Sequence, residues 1–288
     1  MADIIVLAER TATSADVVRF AHRLASAARQ RVIAVEAVRN TSTEHTLEQE
    51  RGYLGAEADD LRSRLPADLV QHIQVVTVDA EPIDALLEQA GHRDAAAVVI
   101  GSTGCEGVTG YGFGSPAHVL AHRLDCPLVV VPPSAAPGGD EVVVGIDGSP
   151  ASDVALDTAA RIAGELTIGL CAVYMVDDIY RTFTTHGYYG AQERLARAEV
   201  ARRASPVRFV ERFGDDPAEV LADVARRQRA VLLVVAARQQ HALGGLLLGG
   251  VPDHLLHEPP CPVMVLPLAY VERAEQRLQS VGARHAHR

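Results

Sequence analysis

Gly101-Ser102-Thr103-Gly104-Cys105-Glu106-Gly107-Val108-Thr109-Gly110-Tyr111-Gly112-Phe113-Gly114-Ser115 separates the apolar run Ala96–Ile100 from a helical segment at Ser115–Leu124. Glycines let backbone amides approach an anion without Cβ obstruction and accept positive φ. A helix starting at Ser115 adds unpaired N–H groups and the positive end of the helix dipole. Strand, glycine loop and helix in that order point to an open parallel sheet, with the loop at the carboxyl ends of the strands, where ligands bind. The physical reading is a phosphate chain held by backbone amides and the hydroxyls of Ser102, Thr103 and Ser115. The competing reading is a plain crossover loop.

Outward from this stretch, the chain is a repeat of two halves. Leu120 to Pro132 aligns with Leu255 to Pro267, and 261 minus 126 puts Cys126-Pro127 and Cys261-Pro262 at an offset of 135. Pro82 meets Pro217 and Leu86 meets Leu221 at that same offset. Ile4-Ile5-Val6 instead matches Val142-Val143-Val144 at 138, so a net shift of 3 residues lies between. The halves join through Pro132-Pro133-Ser134-Ala135-Ala136-Pro137-Gly138-Gly139, a run of turn-forming residues.

Each half alternates strand and helix. In the first, strands are expected at Ile4–Leu7, Val32–Val38, Ile73–Val78, Ala96–Ile100 and Leu128–Val131. Helices are expected at Ser14–Arg29, Thr46–Leu65, from Glu81-Pro82 to about Ala90, and at Ser115–Leu124; proline suits the first helical position because its missing N–H has no intrahelical partner there. The second half repeats the order with Val142–Ile146, Ala151–Ala163, Leu166–Val173, Gln192–Arg203, Val207–Val210, Pro217–Arg227, Val231–Val235, Gly250–His257 and Val263–Leu266. Alternation of this kind implies parallel sheets with crossover helices on both faces. The expected domains are residues 1–133 and 140–268, followed by an amphipathic helix at 269–280 and a tail to 288.

Composition narrows the chemistry. The chain has 288 residues and a formal net charge of -10, which disfavours nucleic-acid and polybasic membrane partners. All 27 basic residues are arginine. A lysine-bearing P-loop, a Schiff-base lysine and a kinase's phosphate-pairing lysine are therefore excluded. No run reaches the ~18–20 apolar residues of a membrane span. The N-terminal sequence lacks the basic region and long apolar run of a secretion signal. The 4 cysteines form no CxxC pair, so a reduced, cytoplasmic protein is expected.

The loop fills the frame G-x-x-G, nine residues, G-S with Gly101, Gly104, Gly114 and Ser115. With the Cys-Pro strand after it and Asp147-Gly148-Ser149 closing the first strand of the second half, the chain resembles the universal stress protein family in its tandem form. The resemblance covers residues 3–267. It implies a five-stranded parallel sheet in each half and, at an intact loop, ATP, with or without Mg2+. It carries Gly101 and Gly104 to the phosphate and ribose, Gly114, Ser115 and Pro116 to the phosphates, and Ile100 to the ribose. The adenine edge falls to the backbone of Ala37, and the family's acidic residue after the first strand falls on Glu9.

The departures differ between the halves. Glu9 is one methylene longer than the family's aspartate, and Arg10-Thr11 follows it in place of Gly-Ser. Arg10 is a candidate partner for a phosphate. In the second half Asp147 is in place, but Ala236, Gln239 and Gly250 stand where the first half has Gly101, Gly104 and Ser115; Gly249 matches Gly114. Nucleotide is accordingly expected in the first half, with Asp147 and Gly249 marking a weaker second site.

Other residues carry less. The 12 histidines form no HExxH motif and no metal ligand set is assigned. His118 and His122, at i and i+4, either share a metal or form a solvated helix face. Cys105 is a candidate redox-sensitive thiol, while Cys126 and Cys261 read as core. Tyr180–Tyr189 is either a packed loop or a lid. No G-x-S-x-G elbow surrounds Ser115. The function expected is nucleotide-responsive regulation rather than dedicated catalysis. Two alternatives stand beside it, a non-binding scaffold of the same fold and a slow adenine-nucleotide hydrolase with Glu9 or Glu106 as its acidic group. Expected partners are an adenine nucleotide, the second domain or a second copy through the last strands, and an unidentified regulatory protein.

Overall fold

Every residue of β1 (Asp3–Leu7) is buried, because the strand lies at the centre of a parallel sheet. The computed structural model of the chain describes residues 2–11, 14–38, 47–102, 115–133, 139–177, 194, 196–198, 200–201, 206–238 and 250–286. It divides into two compact units, Met1–Ala135 and Ala136–Arg288. In the first, β1 is followed by α1 (Ser14–Ala27), β2 (Arg31–Val38), α2 (Leu47–Arg64), a 3-10 turn at Val70–His72, β3 (Ile73–Asp79), α3 (Pro82–Arg93), β4 (Ala97–Gly101), α4 (Pro116–Arg123) and β5 (Leu128–Val131). The strand order is β3-β2-β1-β4-β5, all parallel.

The second unit contains β6 (Glu141–Ile146), α5 (Pro150–Leu166), β7 (Gly169–Asp177), β8 (Arg208–Gly214), α6 (Pro217–Arg227), β9 (Leu232–Ala236), α7 (Gly250–His257), β10 (Val263–Leu266) and α8 (Leu268–Ala286). Its order, β8-β7-β6-β9-β10, repeats the first. The chain leaves each central strand toward one edge, then crosses back to the other side of it. With right-handed crossovers this puts successive helices on both faces. It also opens a crevice at the carboxyl ends of β1 and β4, and of β6 and β9.

The core is aliphatic. Ile5, Ile33, Leu86, Ile100, Leu120 and Leu128 are fully buried in the first unit, as are Leu156, Leu232, Leu233 and Leu255 in the second. Cys126, Cys171 and Cys261 are buried, as expected for Cys126 and Cys261. Burial pushes the Cys171 thiol up to about 11 and the Cys261 thiol up to about 12. The last helix is longer than expected; it packs against α5 and buries Val271, which joins it to the second unit.

Proline stands in the first turn of α3, α4, α5 and α6, and the N-caps Ser115, Ser149 and Asp216 each accept a backbone N–H from within it. The other ends share a different device. Arg29, Asp94, Thr167 and Arg229 have φ of 55, 48, 58 and 49°, left-handed values that turn the chain from α1, α3, α5 and α6 into the next strand. This is why α1 stops at Ala27 rather than continuing through Arg29.

Strand registers refine the repeat. Ile33 faces Gln74 and Cys171 faces Arg208, so the offset at the third strand is 134. It returns to 135 at Pro82 and Pro217, and the turns that lead into α3 and α6 are the same length, residues 80–81 and 215–216.

Candidate functional site

In the first unit the described candidates lie at or just beyond the ends of β1, β2 and β4 and at the start of α4. Ile100 and Gly101 are buried at the end of β4. The Ser102 N–H donates to the Val131 carbonyl at 2.9 Å, which holds the chain in the sheet where it leaves β4. Glu9 is half-buried, two residues beyond β1. Ala37 lies beyond the β1–β2 ladder, which ends at Leu7 opposite Val35. Ser115 caps α4, its Oγ accepting the His118 N–H at 3.3 Å, and Pro116 takes the first helical position. The anion-binding face of this helix start is thus narrower than usual: proline supplies no N–H, and that of His118 is already bonded. Gly104, Gly114, Cys105, Glu106 and the Tyr180–Tyr189 segment lie outside the described residues.

Arg10, a candidate phosphate partner, is held by carboxylates. Its guanidinium donates to Glu36 Oε1 at 3.2 Å and to Glu57, and stands 3.7 Å from Asp60. Arg64 joins from the last turn of α2, bonding Glu36 Oε1 at 2.5 Å, Asp60 Oδ2 at 3.0 Å and the Glu9 carbonyl at 3.4 Å. Ligand oxygens of Glu36, Glu57 and Asp60 lie within 4.8 Å of one another. Three carboxylates against two guanidiniums leave one net negative charge, and the cations already occupy this cluster. These bonds tie the end of α2 to β2 and to the chain beyond β1. A cleft of about 400 Å³ opens beside them, lined by Glu9, Arg10, Ser14, Leu61 and Arg64. The sequence reading missed this group because its members follow no motif. The available signal was Glu36 itself, a carboxylate inside the apolar strand Arg31–Val38.

The second unit has a cavity of about 380 Å³ at the equivalent crevice. Asp147, Ser149, Met175, Val235, Arg238 and Val251 line it. Asp147 Oδ1 accepts the Ser149 N–H at 2.9 Å across Gly148, whose φ of 76° favours glycine. Ser149 in turn caps α5 through the Ser152 N–H at 3.2 Å. Arg238, just past β9, forms an ion pair with Asp147. Thus Asp147 does line a cavity, while Gly249 lies outside the described residues. Arg238 and Met175 were not singled out from sequence; the offsets that relate them to Thr103 and Ala37 were the usable signal.

The sequence profile described as "Universal stress protein family" matches residues 1–132 and again 140–267. The chain belongs to the universal stress protein family. A universal stress protein of Mycobacterium tuberculosis is 29% identical over 211 residues, which is 69% of this chain and 70% of that protein. Another from the same species is 28% identical over 212 residues, 67% of each chain. A solved universal stress protein from Archaeoglobus fulgidus superposes with a TM-score of 0.65 at 14% identity, over 92% of this chain and 98% of its own. A Pseudomonas aeruginosa protein of unknown function gives 0.64 at 16% identity over 96% of both chains. At these identities the solved structures speak to the universal stress fold alone. Among the described residues, no helix is long and apolar enough to cross a membrane.

Proposed function

We propose that this universal stress protein is a nucleotide-responsive regulator, with ATP and its Mg2+ bound in the first unit. The observation that carries the reading is the placement of Gly101 and the Ser115-capped start of α4. They bracket the intact glycine frame at the crevice where β1 and β4 diverge. Glu9 and the backbone of Ala37 stand at the neighbouring strand ends, the positions for the adenine side. Backbone amides and hydroxyls supply the phosphate contacts, which suits a chain whose basic residues are all arginine. Bound nucleotide biases association with a regulatory protein, a second copy or the other domain in the cytoplasm. Hydrolysis, where it occurs, is slow and incidental.

Calorimetric titration of nucleotide-stripped protein with MgATP tests this, beside Gly114→Ala. The added methyl group obstructs close phosphate approach to the backbone. One site per chain, lost in the variant, is the expected result. Absence of binding in both proteins refutes the reading and leaves the scaffold alternative. Binding that survives unchanged in Gly114→Ala moves the nucleotide to the second unit's cavity, where Asp147 and Arg238 already pair.

A further inference from the structure

We propose that His118 and His122 form a bidentate site for a divalent transition-metal ion of the zinc class. The two residues are one turn apart on α4, and their Nε2 atoms approach to 3.1 Å. The rings meet edge to face, with centroids 4.6 Å apart and planes inclined at 62°. A bound zinc–nitrogen distance is about 2.0–2.1 Å, so two nitrogens at this separation subtend an angle of roughly 100° at a shared ion. That lies between square-planar and tetrahedral values. The 3.1 Å contact is itself a hydrogen bond between the rings, one Nε2 donating to the other, so an ion replaces that shared proton and draws both nitrogens onto itself at nearly the same separation.

The helix holds both rings in place. Ala117, Leu120 and Ala121 are buried on α4's inner face, and the Ser115 cap fixes its start, with the His118 N–H as donor. Both histidines are half-buried, which restricts their rotamers. Two imidazoles select zinc, nickel or copper over magnesium and calcium, which prefer oxygen. The remaining coordination positions would accept water or an anionic oxygen. The site stands on α4 alone and does not depend on nucleotide.

The test is a titration of metal-stripped, nucleotide-free full-length protein with Zn2+ against a chromophoric indicator. Wild type and a His285→Asn/His287→Asn control should each bind one equivalent at this site. His118→Asn and His122→Asn should each weaken that equivalent by about a hundredfold, the loss expected when one arm of a chelate is removed. Equal Zn2+ affinity in wild type and the two single variants overturns the proposal, as does Mg2+ binding as tight as Zn2+. A wild-type measurement guards against misfolded variants. With 15N-labelled histidine, one equivalent of Zn2+ should shift the Nε2 resonances of His118 and His122; unshifted resonances refute the site.

Discussion

Replacing Arg64 by methionine should destabilise the first unit by about 2 kcal/mol. The figure follows from how Glu36 is held. Its side chain is 4% exposed, and its bonded oxygen is shared by Arg64, at 29% exposure, and Arg10, at 59%. Breaking a fully buried pair by removing one partner costs about 3–5 kcal/mol. Arg64 is partly solvated and Arg10 remains, so roughly half of that applies. Methionine keeps most of the aliphatic stem, so packing changes little. For a unit of this size, about 2 kcal/mol corresponds to a fall in Tm of roughly 6–10 °C. Arg10→Met, at the exposed end, should cost less than about 1 kcal/mol. Glu36→Leu combined with Arg64→Met should recover much of the loss, because it also removes Oε2, a buried oxygen with no hydrogen-bond partner. Urea unfolding followed by circular dichroism, with calorimetry to separate the units, measures all three. An Arg64→Met variant no less stable than Arg10→Met, or a double variant worse than Arg64→Met alone, would show that the buried carboxylate does not depend on this guanidinium.

The second unit provides other checks. An alanine Cβ at Gly139 would lie 1.9 Å from the Arg229 carbonyl oxygen, so Gly139→Ala must displace backbone and should cost about 2 kcal/mol or more in a denaturant titration. Ser149→Ala should cost about 1 kcal/mol through loss of the α5 cap, whereas Ser149→Gly should cost only a few tenths; equal losses would argue against a capping role. At alkaline pH the thiols of Cys171 and Cys261 ionise later in the folded chain, at about 11 and about 12, than the ordinary value of 9.0. The unfolded chain thus loses their protons first, and stability falls as pH rises from 9 through the folded values, by up to about 1.4 kcal/mol per pH unit for each thiol. A Cys171→Ala/Cys261→Ala variant should show a shallower decline between pH 8 and 10 than wild type.

Much of the architecture was legible because its signals are local and occur twice. Pro82 and Pro217 mark equivalent helix starts, and β-branched runs mark strands buried on both faces. The duplicated Cys-Pro pairs align the halves before any packing is considered. The exact helix end at Ala27 was hidden because Arg29 has no left-handed preference of its own; the turn into β2 imposes it. At the crevice, the sequence showed which backbone positions are small but not which charges meet. Arg10 is adjacent to Glu9 in the chain, yet its guanidinium is drawn to Glu36, Glu57 and Asp60, brought there by a strand and a helix. Arg238 and Asp147 are 91 residues apart, and only the sheet brings them together.

The left-handed turns imply a reserve of thermostability. Arg29 corresponds to Thr167, and Asp94 to Arg229, so each domain bends the chain at the same two helix-to-strand junctions without glycine. A side chain there carries a penalty of roughly 1–2 kcal/mol, most severe for a β-branched residue such as Thr167. Glycine would remove it while returning about 0.4–1 kcal/mol to the unfolded chain as entropy. Each replacement therefore nets roughly 0.5–1 kcal/mol. None of the four residues lines a crevice cavity. A heat-tolerant version of this protein can be built at these junctions while leaving the ligand-facing strand ends as they are.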